Sequence, residues 1–401
     1  MTRYLVGGAV RDRLLGRAMG DRDWVVVGTT PEQMLQAGYL AVGKDFPVFL
    51  DPIHKEEHAL ARTERKTAPG YRGFVIHAAA DVSLEDDLSR RDLTINAIAE
   101  DEDGALIDPH NGLQDLEKRW LRHVSSAFSE DPVRILRLAR FLARFASLGF
   151  RVHPDTIALC RAMVAAGEVD ALIAERVWLE LSRALAEPAP SAAIRFLRDV
   201  GALKVLLPEV DGLFGVPQRP EYHPEIDAGI HTLMALDEAA VLAPMDGEIA
   251  FSVLVHDLGK ALTPAHILPR HLHHEHAGIA PVEALCERFK VPREFRELAV
   301  LVTREHLNVH RAQEMRSNTL IRFFDRCDLW RRPGRFAKMI LCCTADKRGR
   351  LGCQDHYPSA EYLTTRAASA RAVRARDLLE QGISPERLPD ALRDARIAAV
   401  G

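Results

Sequence analysis

The sequence predicts an α+β protein in which a small mixed β-sheet near the N-terminus is followed by a mostly helical remainder. Short apolar runs with strand spacing occur at residues 4–6, 24–27, 46–50, 59–61 and 73–76, and turn residues separate them. From about residue 130 onward, apolar residues recur at helical spacing, with breaks at 188–190 and at Gly201. At roughly 100–200 residues per domain, a chain of 401 residues is expected to form more than one domain.

Composition excludes several classes of protein. No apolar run approaches the roughly 20 residues of a membrane span, and the N-terminus lacks the apolar region of a secretory signal, so we expect a cytoplasmic protein without a membrane partner. The six cysteines show no C-x-x-C spacing, which argues against a zinc ribbon or a disulfide framework. Because the net charge is −4, a nucleic-acid partner would have to be met by a local basic patch.

The first element is a strand, a glycine turn and a helix. The strand at residues 4–6 runs into Gly7 and Gly8, which can adopt backbone angles closed to other residues. Without side chains, they let a ligand approach the amides at the start of the following helix, where phosphates bind. The residues expected on the apolar side of this helix are Val10, Leu14 and Leu15.

The second element is an acidic pair at the start of the next strand. Asp21 and Asp23 are two residues apart, so strand periodicity places both carboxylates on one face. Two negative charges there repel each other unless a cation lies between them. The pair therefore predicts a magnesium site beside a polyphosphate.

Each half alone has an ordinary explanation, a simple turn or a solvated strand edge, but their order is specific. The combination resembles the nucleotidyltransferase superfamily related to DNA polymerase beta. The resemblance implies that Asp21 and Asp23 hold two Mg²⁺ ions and that Gly8 and Arg11 bind the triphosphate. Glu57 is a candidate third carboxylate, because it falls where members of the family carry an acidic residue.

Residues 85–99 contain a second motif, in which Arg90 and Arg91 precede Asp92 and Asn96. Paired guanidinium groups can hold phosphate, and Asn96 offers both a donor and an acceptor to a ribose. A helix cap and a surface arginine would explain Asp92 and Arg90 but not Asn96. The segment resembles the RRDxTxNA motif of class II tRNA nucleotidyltransferases and poly(A) polymerases.

A third motif begins at Glu130-Asp131-Pro132, a typical helix start. The helical period gives an apolar face and an adjacent arginine face. A salt-bridged surface is the usual explanation for such a face, but no acidic residue lies between Asp131 and Asp155, which favours an anionic or hydrogen-bonding ligand. The two faces consist of Ile135, Leu138, Leu142 and Phe145, and of Arg134, Arg137, Arg140 and Arg144.

This third motif resembles the EDxxR motif of the same family. The resemblance implies that Asp131 and Arg134 hydrogen-bond the base of the incoming CTP or ATP, with Arg137 and Arg140 nearby. The expected nucleotide-binding residues are Gly8, Arg11, Arg91, Asp92, Asn96, Asp131, Arg134, Arg137 and Arg140.

Histidines are concentrated in the second half, where ten of the seventeen lie between His223 and His310. A lone histidine on an apolar helix is usually a satisfied core residue, but the string His256-Asp257-Leu258-Gly259-Lys260 has several others around it. Imidazole and carboxylate ligands suit a divalent-metal hydrolase. The string resembles the HD phosphohydrolase superfamily. The expected metal ligands are His231, His256, Asp257, His274 and Asp346, with His306 and His310 as alternatives for the third histidine.

The whole chain resembles class II CCA-adding enzymes that carry a C-terminal HD domain. This implies a polymerase-beta-like nucleotidyltransferase head (1–140), an all-α neck and body that binds RNA (141–225), an all-α HD domain (226–355) and a helical tail (356–401). The implied partners are the 3′ end of tRNA, CTP and ATP, for a monomer or homodimer.

The implied activity is template-independent addition of C, C and A to tRNA. Phosphohydrolase activity on 2′,3′-cyclic phosphates, 2′-nucleotides or phosphate ends would accompany it, with a transition metal such as Ni²⁺. Two alternatives remain open: a poly(A) polymerase of the same class, and an HD hydrolase with an inactive RNA-binding head.

Overall fold

The computed structural model describes residues 1–42, 48–66, 74–77, 80–353 and 356–401. Phe46, Pro47 and Gly73, which the sequence assigns to strands, lie outside the described residues. The N-terminal part alternates short strands and helices. These are β1 (Thr2–Val6), α1 (Gly8–Leu14), β2 (Asp23–Val27), α2 (Pro31–Gln36), β3 (Leu40–Val42), β4 (Val48–Leu50), β5 (Glu57–Leu60), β6 (Thr63–Lys66), β7 (Phe74–His77), α3 (Leu84–Ser89), β8 (Ala99–Glu100), β9 (Leu106–Ile107), α4 (Gly112–Lys118), β10 (Trp120–Leu121), α5 (Val133–Phe145) and β11 (Arg151–Val152).

The rest of the chain is helical. Its helices are α6 (Pro154–Ala165), α7 (Ala174–Leu185), α8 (Pro190–Asp199), α9 (Ala202–Leu206), α10 (Pro208–Asp211), α11 (Ala228–Leu242), α12 (Gly247–Val255), α13 (His274–Ala277), α14 (Ile279–Arg288), α15 (Arg293–His310), α16 (Ser317–Arg326), α17 (Pro333–Arg348), α18 (Pro358–Ala372), α19 (Ala375–Glu380) and α20 (Leu388–Ala399). None of the helices within the described ranges is both long enough and apolar enough to cross a membrane.

Seven of the described strands form one sheet in the order β3-β4-β5-β2-β1-β8-β9. The β1–β2 pair is antiparallel and the β2–β5 pair is parallel, so the sheet is mixed. Central strand β2 carries an uninterrupted valine run because both of its faces are buried. Val25 packs with Leu88 of α3, and Val26 packs with Met34 of α2.

The predicted α+β class, with a small mixed sheet and a helical remainder, is confirmed. The region expected to be all-helical also holds β11, which pairs in parallel with β10. The chain divides into two compact units, residues 1–180 with 195–206, and residues 181–194 with 207–401. The proposed limits at 140, 225 and 355 stay predictions.

Helix α1 differs from its predicted amphipathic pattern. Leu14 is 38% exposed, whereas the charged residues Arg11 and Asp12 are buried. The two charges tolerate burial because they pair with each other, with 2.8 Å between guanidinium and carboxylate. Arg144 of α5 lies 2.9 Å from the second oxygen of Asp12. Val10 is fully buried, as predicted, so hydrophobic spacing was wrong about Leu14 and missed the buried charged pair.

Phe145 ends α5 at the centre of the first unit's aromatic packing, and it is fully buried. Its ring lies 5.4 Å from that of Phe150 and stacks on that of Phe141 at 6.3 Å, and the Arg11 guanidinium lies 4.9 Å from its centroid. The first unit's core therefore depends on this side chain for both aromatic and cation–π contacts.

We expect Phe145→Ala to lower the free energy of unfolding by about 3–5 kcal/mol, because it removes a large side chain and leaves a cavity. Guanidinium unfolding followed by fluorescence measures the change. Leu148→Ala is the control, because Leu148 is 39% exposed and such surface changes typically stay within about 0.5 kcal/mol. Equal unfolding curves for the two variants would contradict the role given to Phe145.

Candidate functional site

The first cluster of functional side chains is carboxylic and lies at the start of β2. The strand register pairs Asp23 with Glu57 on parallel β5 and with Val6 on β1, next to the glycine turn. Residues in direct register project to the same face of a sheet, about 4.8 Å apart. Asp21 lies before the strand begins, so strand periodicity does not explain how it approaches Asp23. Sheet pairing and not sequence spacing thus supplies the neighbour of Asp23.

The carboxyl group of Asp23 is close enough to those of Asp21 and Glu57 to be repelled by both. Desolvation raises the pKa of Asp23, the nearby Arg91 guanidinium opposes the rise, and repulsion from Glu57 and from Asp21 adds to it. Asp21 and Asp23 both keep exposed surface. Within the described part of the chain, the three groups do not converge to within 4.8 Å of one another as the histidine groups described below do. A bound cation would relieve the repulsion, so the donor set fits a metal that prefers oxygen ligands.

Arginine 91 links this acidic cluster to the glycine turn. Gly7 has φ +72°, a conformation that favours glycine, and a Cβ there would lie 3.0 Å from an Arg91 terminal nitrogen. Arg91 also donates to a carboxylate oxygen of Asp87 at 3.3 Å. Asp87 is fully buried and holds Arg90 as well, at 2.8 Å. Sequence reasoning gave Asp87 no role, although it lies three residues before Arg90.

A buried hydrogen-bonded chain connects the second motif to α1. The side chain of Asn96 donates to Asp92 at 2.9 Å and accepts from Arg11 at 2.6 Å. Arg137 of α5 donates to the other Asp92 oxygen at 2.9 Å. Burial disfavours the Asp92 carboxylate, but Arg137 and Asn96 outweigh it and lower its pKa to about 2. The structure therefore brings Arg11, Asp92, Asn96 and Arg137 together.

The arginines on α5 have acidic partners within the protein, contrary to the expectation from the sequence. Arg137 lies 2.7 Å from Asp92, Arg140 lies 3.1 Å from Glu180, and Arg144 pairs with Asp12. The inference that these arginines need an external anion was wrong, because their acidic partners come from other segments of the first unit. What the pairing does provide is a set of guanidinium groups fixed in position.

The start of α5 is held in a similar way. Arg134 donates to the carbonyl oxygens of Ala127 at 2.9 Å and of Arg90 at 2.7 Å. Asp131 accepts two hydrogen bonds from Arg176 of α7, at 3.1 and 2.6 Å. Such a two-bonded pair fixes the plane of the carboxylate. Sequence reasoning missed Arg176, which is 45 residues away and carries no motif.

The second cluster lies in the other unit and consists of buried histidines and aspartates. One group joins His231, His256 and Asp346, with 3.0 Å between His231 Nε2 and Asp346. A second group joins Asp257, His274 and His306, with 3.1 Å between the two imidazoles. In each group the ligand atoms lie within 4.8 Å of one another. All five residues predicted as ligands are brought together here.

Asp257 connects the two groups. One of its oxygens lies 3.1 Å from His256, and the other lies 3.3 Å from His274 and 3.7 Å from His306. Both oxygens and His256 Nε2 are buried without a hydrogen bond of good geometry, although the Lys260 ammonium lies 2.6 Å from one of the oxygens. Buried polar atoms are rarely left unsatisfied, so the donor set fits a bound divalent metal. Of the two alternatives for the third histidine, His306 joins a ligand group, while His310 lies 2.5 Å from Asp346.

The protonation of two of these groups suits metal binding, whereas for His256 the neighbouring Asp257 outweighs burial and raises the pKa. Burial opposes the negative charge of Asp257, but His256 and Lys260 outweigh it and hold its pKa well below the usual value. Burial and the neighbouring His274 lower the pKa of His306 well below its usual value. A deprotonated carboxylate and a neutral imidazole are the forms that bind metal.

Further residues orient the ligands. Glu225 lies 3.0 Å from His231 Nδ1, and the Tyr357 hydroxyl lies 2.6 Å from His310 Nδ1. The Lys260 ammonium lies 2.6 Å from Asp257 and donates to Gln218. Groups that fix an imidazole from its second nitrogen raise its quality as a ligand. The sequence signals for these residues were weak, apart from Lys260 in the His-Asp string.

A cavity of about 670 Å³ opens onto the histidine groups. Its wall includes His223, His271 and the exposed residue Tyr222. A cationic wall beside possible metal ligands suits a phosphate-bearing molecule. The basic residues of the wall are Arg219, Lys260, Arg270, Arg311 and Arg350.

Comparison with known proteins gives consistent matches. A family model described as "Poly A polymerase head domain" matches residues 3–122, and one described as "Probable RNA and SrmB- binding site of polymerase A" matches residues 149–213. Proteins named "Multifunctional CCA protein" are 59% identical over 401 residues in Thioalkalivibrio sulfidiphilus and 58% identical over 402 residues in Xanthomonas euvesicatoria pv. vesicatoria. Each comparison covers 100% of this chain and 98% of the relative.

The fold is similar to a solved structure described as "Thermotoga maritima CCA-adding enzyme complexed with tRNA_CCA". The TM-score is 0.65 at 19% identity, covering 100% of this chain and 87% of that one. A second structure, described as a complex of CCA-adding enzyme with ATP, has a TM-score of 0.66 at 19% identity, covering 100% and 86%. At this level of identity the likeness shows a shared fold.

Gly259 of the His-Asp string has a definite structural role. A Cβ at this position would lie 2.0 Å from the carbonyl oxygen of His274 and 2.7 Å from the Gly278 nitrogen. We expect Gly259→Ala to displace α13 with His274 and to weaken Ni²⁺ or Co²⁺ binding by about 10–100-fold, measured by calorimetry. Gly334→Ala is the control, because nothing lies within 4 Å of the added atom. Unchanged metal affinity in Gly259→Ala would remove His274 from the ligand set.

Proposed function

Because the chain belongs to the multifunctional CCA protein family, we propose that it adds C, C and A to the 3′ end of tRNA from CTP and ATP, in the cytoplasm. The observation that carries this proposal is the coupling of Asp21, Asp23 and Glu57 beside the Gly7 turn. The histidine groups of the other unit support a second, phosphohydrolase activity. The proposed substrates of that activity are 2′,3′-cyclic phosphates, 2′-nucleotides and phosphate ends.

In the nucleotidyltransferase head, the carboxylates would hold Mg²⁺ against the nucleotide triphosphate. When bound, Mg²⁺ lowers the pKa of the attacking 3′-hydroxyl and neutralises charge on the triphosphate and on departing pyrophosphate. The phosphates would bind beside the turn at Gly7 and Gly8, where α1 begins. Arg91, poised between this turn and Asp23, would bind the triphosphate.

Base selection would depend on side chains that the protein fixes in advance. Asp131 is held by Arg176, and Arg134 by two carbonyl oxygens. Donors and acceptors that are already fixed discriminate bases better than mobile ones, because binding then costs no free energy for immobilising the side chains. Asp131 and Arg134 would read the edge of the cytosine or adenine. Asn96 and Arg137 would support the ribose and phosphates from the Asp92 network.

In the other unit, five residues would hold the metal, with His306 close to Asp257. They are His231, His256, Asp257, His274 and Asp346. A transition metal such as Ni²⁺ suits this mixed imidazole and carboxylate set. When bound, such a metal activates water for attack on phosphorus. The basic cavity wall would orient the phosphate group of the substrate.

The main alternative is a poly(A) polymerase of the same class, because the head model that matches residues 3–122 carries that description. The His256-Asp257 groups favour the CCA activity, since the two models described for poly(A) polymerase end at residue 213, before the His-Asp string. The test uses purified protein and tRNA that lacks its CCA end. A stop after three nucleotides supports CCA addition, and a long A tail supports polyadenylation.

We expect Asp23→Asn to reduce nucleotide addition by about 10³-fold or more while phosphohydrolase activity remains, because metal stabilisation contributes several kcal/mol. His256→Ala should have the reverse effect. Rates of CTP incorporation and of 2′,3′-cyclic phosphate hydrolysis, measured on both variants, check this. Parallel loss of both activities in either variant would refute two independent sites.

A stability measurement separates chemical loss from misfolding. Since the pKa of Asp23 is raised in the folded state, its contribution to stability is full at pH below its unfolded value and is lost as the pH rises through the folded value. The neutral Asp23→Asn variant should therefore have a higher Tm than the unmodified protein at pH 7. The difference should shrink as the pH falls from 7 toward the unfolded pKa of about 4, and it should vanish below that value.

We expect Arg176→Ala to reduce discrimination of CTP and ATP against UTP and GTP by about tenfold, because Asp131 loses both hydrogen bonds that fix its plane. The ratio of kcat/KM values for the four nucleotides measures it. Arg183→Ala is the matched control, since Arg183 is exposed near the other end of α7. Unaltered ratios in Arg176→Ala would argue against base reading by Asp131.

A further inference from the structure

A second basic cleft lies in the helical unit, apart from the histidine cavity. Its volume is about 480 Å³, and α14, α15, α16 and α17 contribute its walls. Two glutamates, Glu283 and Glu297, and two apolar residues, Val300 and Leu301, line it as well. The arginines that line it are Arg293, Arg296, Arg304, Arg326 and Arg335.

The positive charge of this cleft exceeds the negative charge that pairs with it. Glu297 is shared by Arg293 at 2.7 Å, Arg335 at 3.2 Å and Arg332. Glu305 is shared by two more of the lining arginines, Arg304 and Arg326, at 3.1 and 3.0 Å. Asp328 lies 3.5 Å from Arg335 and 3.8 Å from Arg332, and Glu283 lies 3.4 Å from Arg296. Four carboxylates thus serve six guanidinium groups. The remaining capacity of those groups to donate hydrogen bonds is available to an anion.

The helix dipole does not explain the arginines at the start of α15. Arg293 and Arg296 lie in its first turns, where the helix dipole disfavours positive charge. Their side chains are 76% and 48% exposed, so they do not fill the core. Arg296 approaches Glu283 only at 3.4 Å. A ligand accounts for their position better than packing or capping does.

The cleft and the histidine groups use opposite sides of α15. Glu297 and His306 are nine residues apart, which is about two and a half helical turns, so their side chains point to opposite sides of the helix. None of the residues that line the cleft also lines the histidine cavity. The cleft is therefore a separate site and not an extension of the hydrolase pocket.

We propose that this cleft binds consecutive phosphates of the tRNA backbone. The inference rests on the proposed function, which requires a chain of net charge −4 to hold a polyanion through a local basic patch. Arg293 and Arg304 are eleven residues apart on α15, about 16 Å along its axis. That length matches several phosphates of a strand rather than one free phosphate group.

The lining also distinguishes RNA from other anionic partners. Two of the nine lining residues described are apolar, which offers little anchorage to the side chains of an acidic peptide. Planar guanidinium forks match phosphate oxygens through paired hydrogen bonds. Backbone contacts of this kind position RNA by shape and carry no sequence information.

The test is the affinity for tRNA lacking CCA at several KCl concentrations. Arg293→Gln/Arg296→Gln, which changes two exposed side chains, should bind about tenfold more weakly, with a salt slope flatter by about one to two. Arg293→Lys/Arg296→Lys should recover part of the affinity, because it keeps the charge and loses the fork. The weaker binding should appear as a higher KM for tRNA.

Arg374→Gln/Arg376→Gln is the matched control. Arg376 makes the same i,i+4 pair with a glutamate, at the same 2.7 Å as Arg293, but outside the cleft. Equal loss in the two double variants would reduce the effect to net charge and overturn the proposal. Unchanged affinity and salt slope in Arg293→Gln/Arg296→Gln would overturn it as well.

A third arm separates RNA from a small anion. If calorimetry shows that inorganic pyrophosphate binding depends on Arg293 and Arg296 while tRNA affinity does not, the cleft holds a free phosphate compound and the RNA assignment is wrong. Addition of CCA by the unmodified protein is measured alongside. A protein that adds CCA but shows no cleft effect refutes this inference alone, whereas one that adds nothing refutes the proposed function.

Discussion

The buried carboxylate of Asp92 is the interaction on which the first unit depends most. It accepts from Arg137 of α5 and from Asn96, which in turn accepts from Arg11 of α1. Segments that are far apart in the chain thereby meet at one charge. Removing one partner of such a buried pair usually costs about 3–5 kcal/mol, so the pairing is strongly specified. The same network holds the side chains expected to meet a nucleotide. The same residues therefore determine both the core packing and the binding geometry of this unit.

The helical unit uses a carboxylate differently. Asp257 faces His256 and the Lys260 ammonium with one oxygen and His274 with the other. Within the first unit, Asp92 is satisfied by the protein itself. The two carboxylates therefore have different uses. The one surrounded by guanidinium and amide donors fixes geometry, whereas the one that faces imidazole nitrogens can share an external cation with them. The close contact between Gly259 and the backbone of α13 keeps His274 within reach of that carboxylate.

Local patterns predicted much of this arrangement from the sequence. The strand and turn signals gave the mixed sheet, and the His256-Asp257 string drew attention to ligands that do converge. Local patterns could not predict which charged residues pair when they lie far apart in the sequence. The arginine face of α5 was misjudged because Asp12, Asp92 and Glu180 lie outside its own segment. Leu14 was misassigned for the same reason, since hydrophobic periodicity cannot anticipate that a charged pair replaces an apolar residue in the core.

The arginines of the chain differ in how completely carboxylates neutralise them. This difference distinguishes arginines that hold the structure in place from arginines that can bind an anion at the surface. Arg137 and Arg176 each meet a carboxylate of their own, and both serve to hold another functional group still. Arg293, Arg332 and Arg335 share Glu297, and the latter two also lie near Asp328, so three guanidinium groups meet two carboxylates and positive charge remains in excess. A chain with an overall negative charge repels a polyanion on average and attracts it only where such an imbalance is local. Sharing of one carboxylate by several guanidinium groups is thus the physical feature that marks an anion-binding surface here, and a motif search, which reads residues without their partners, does not detect it.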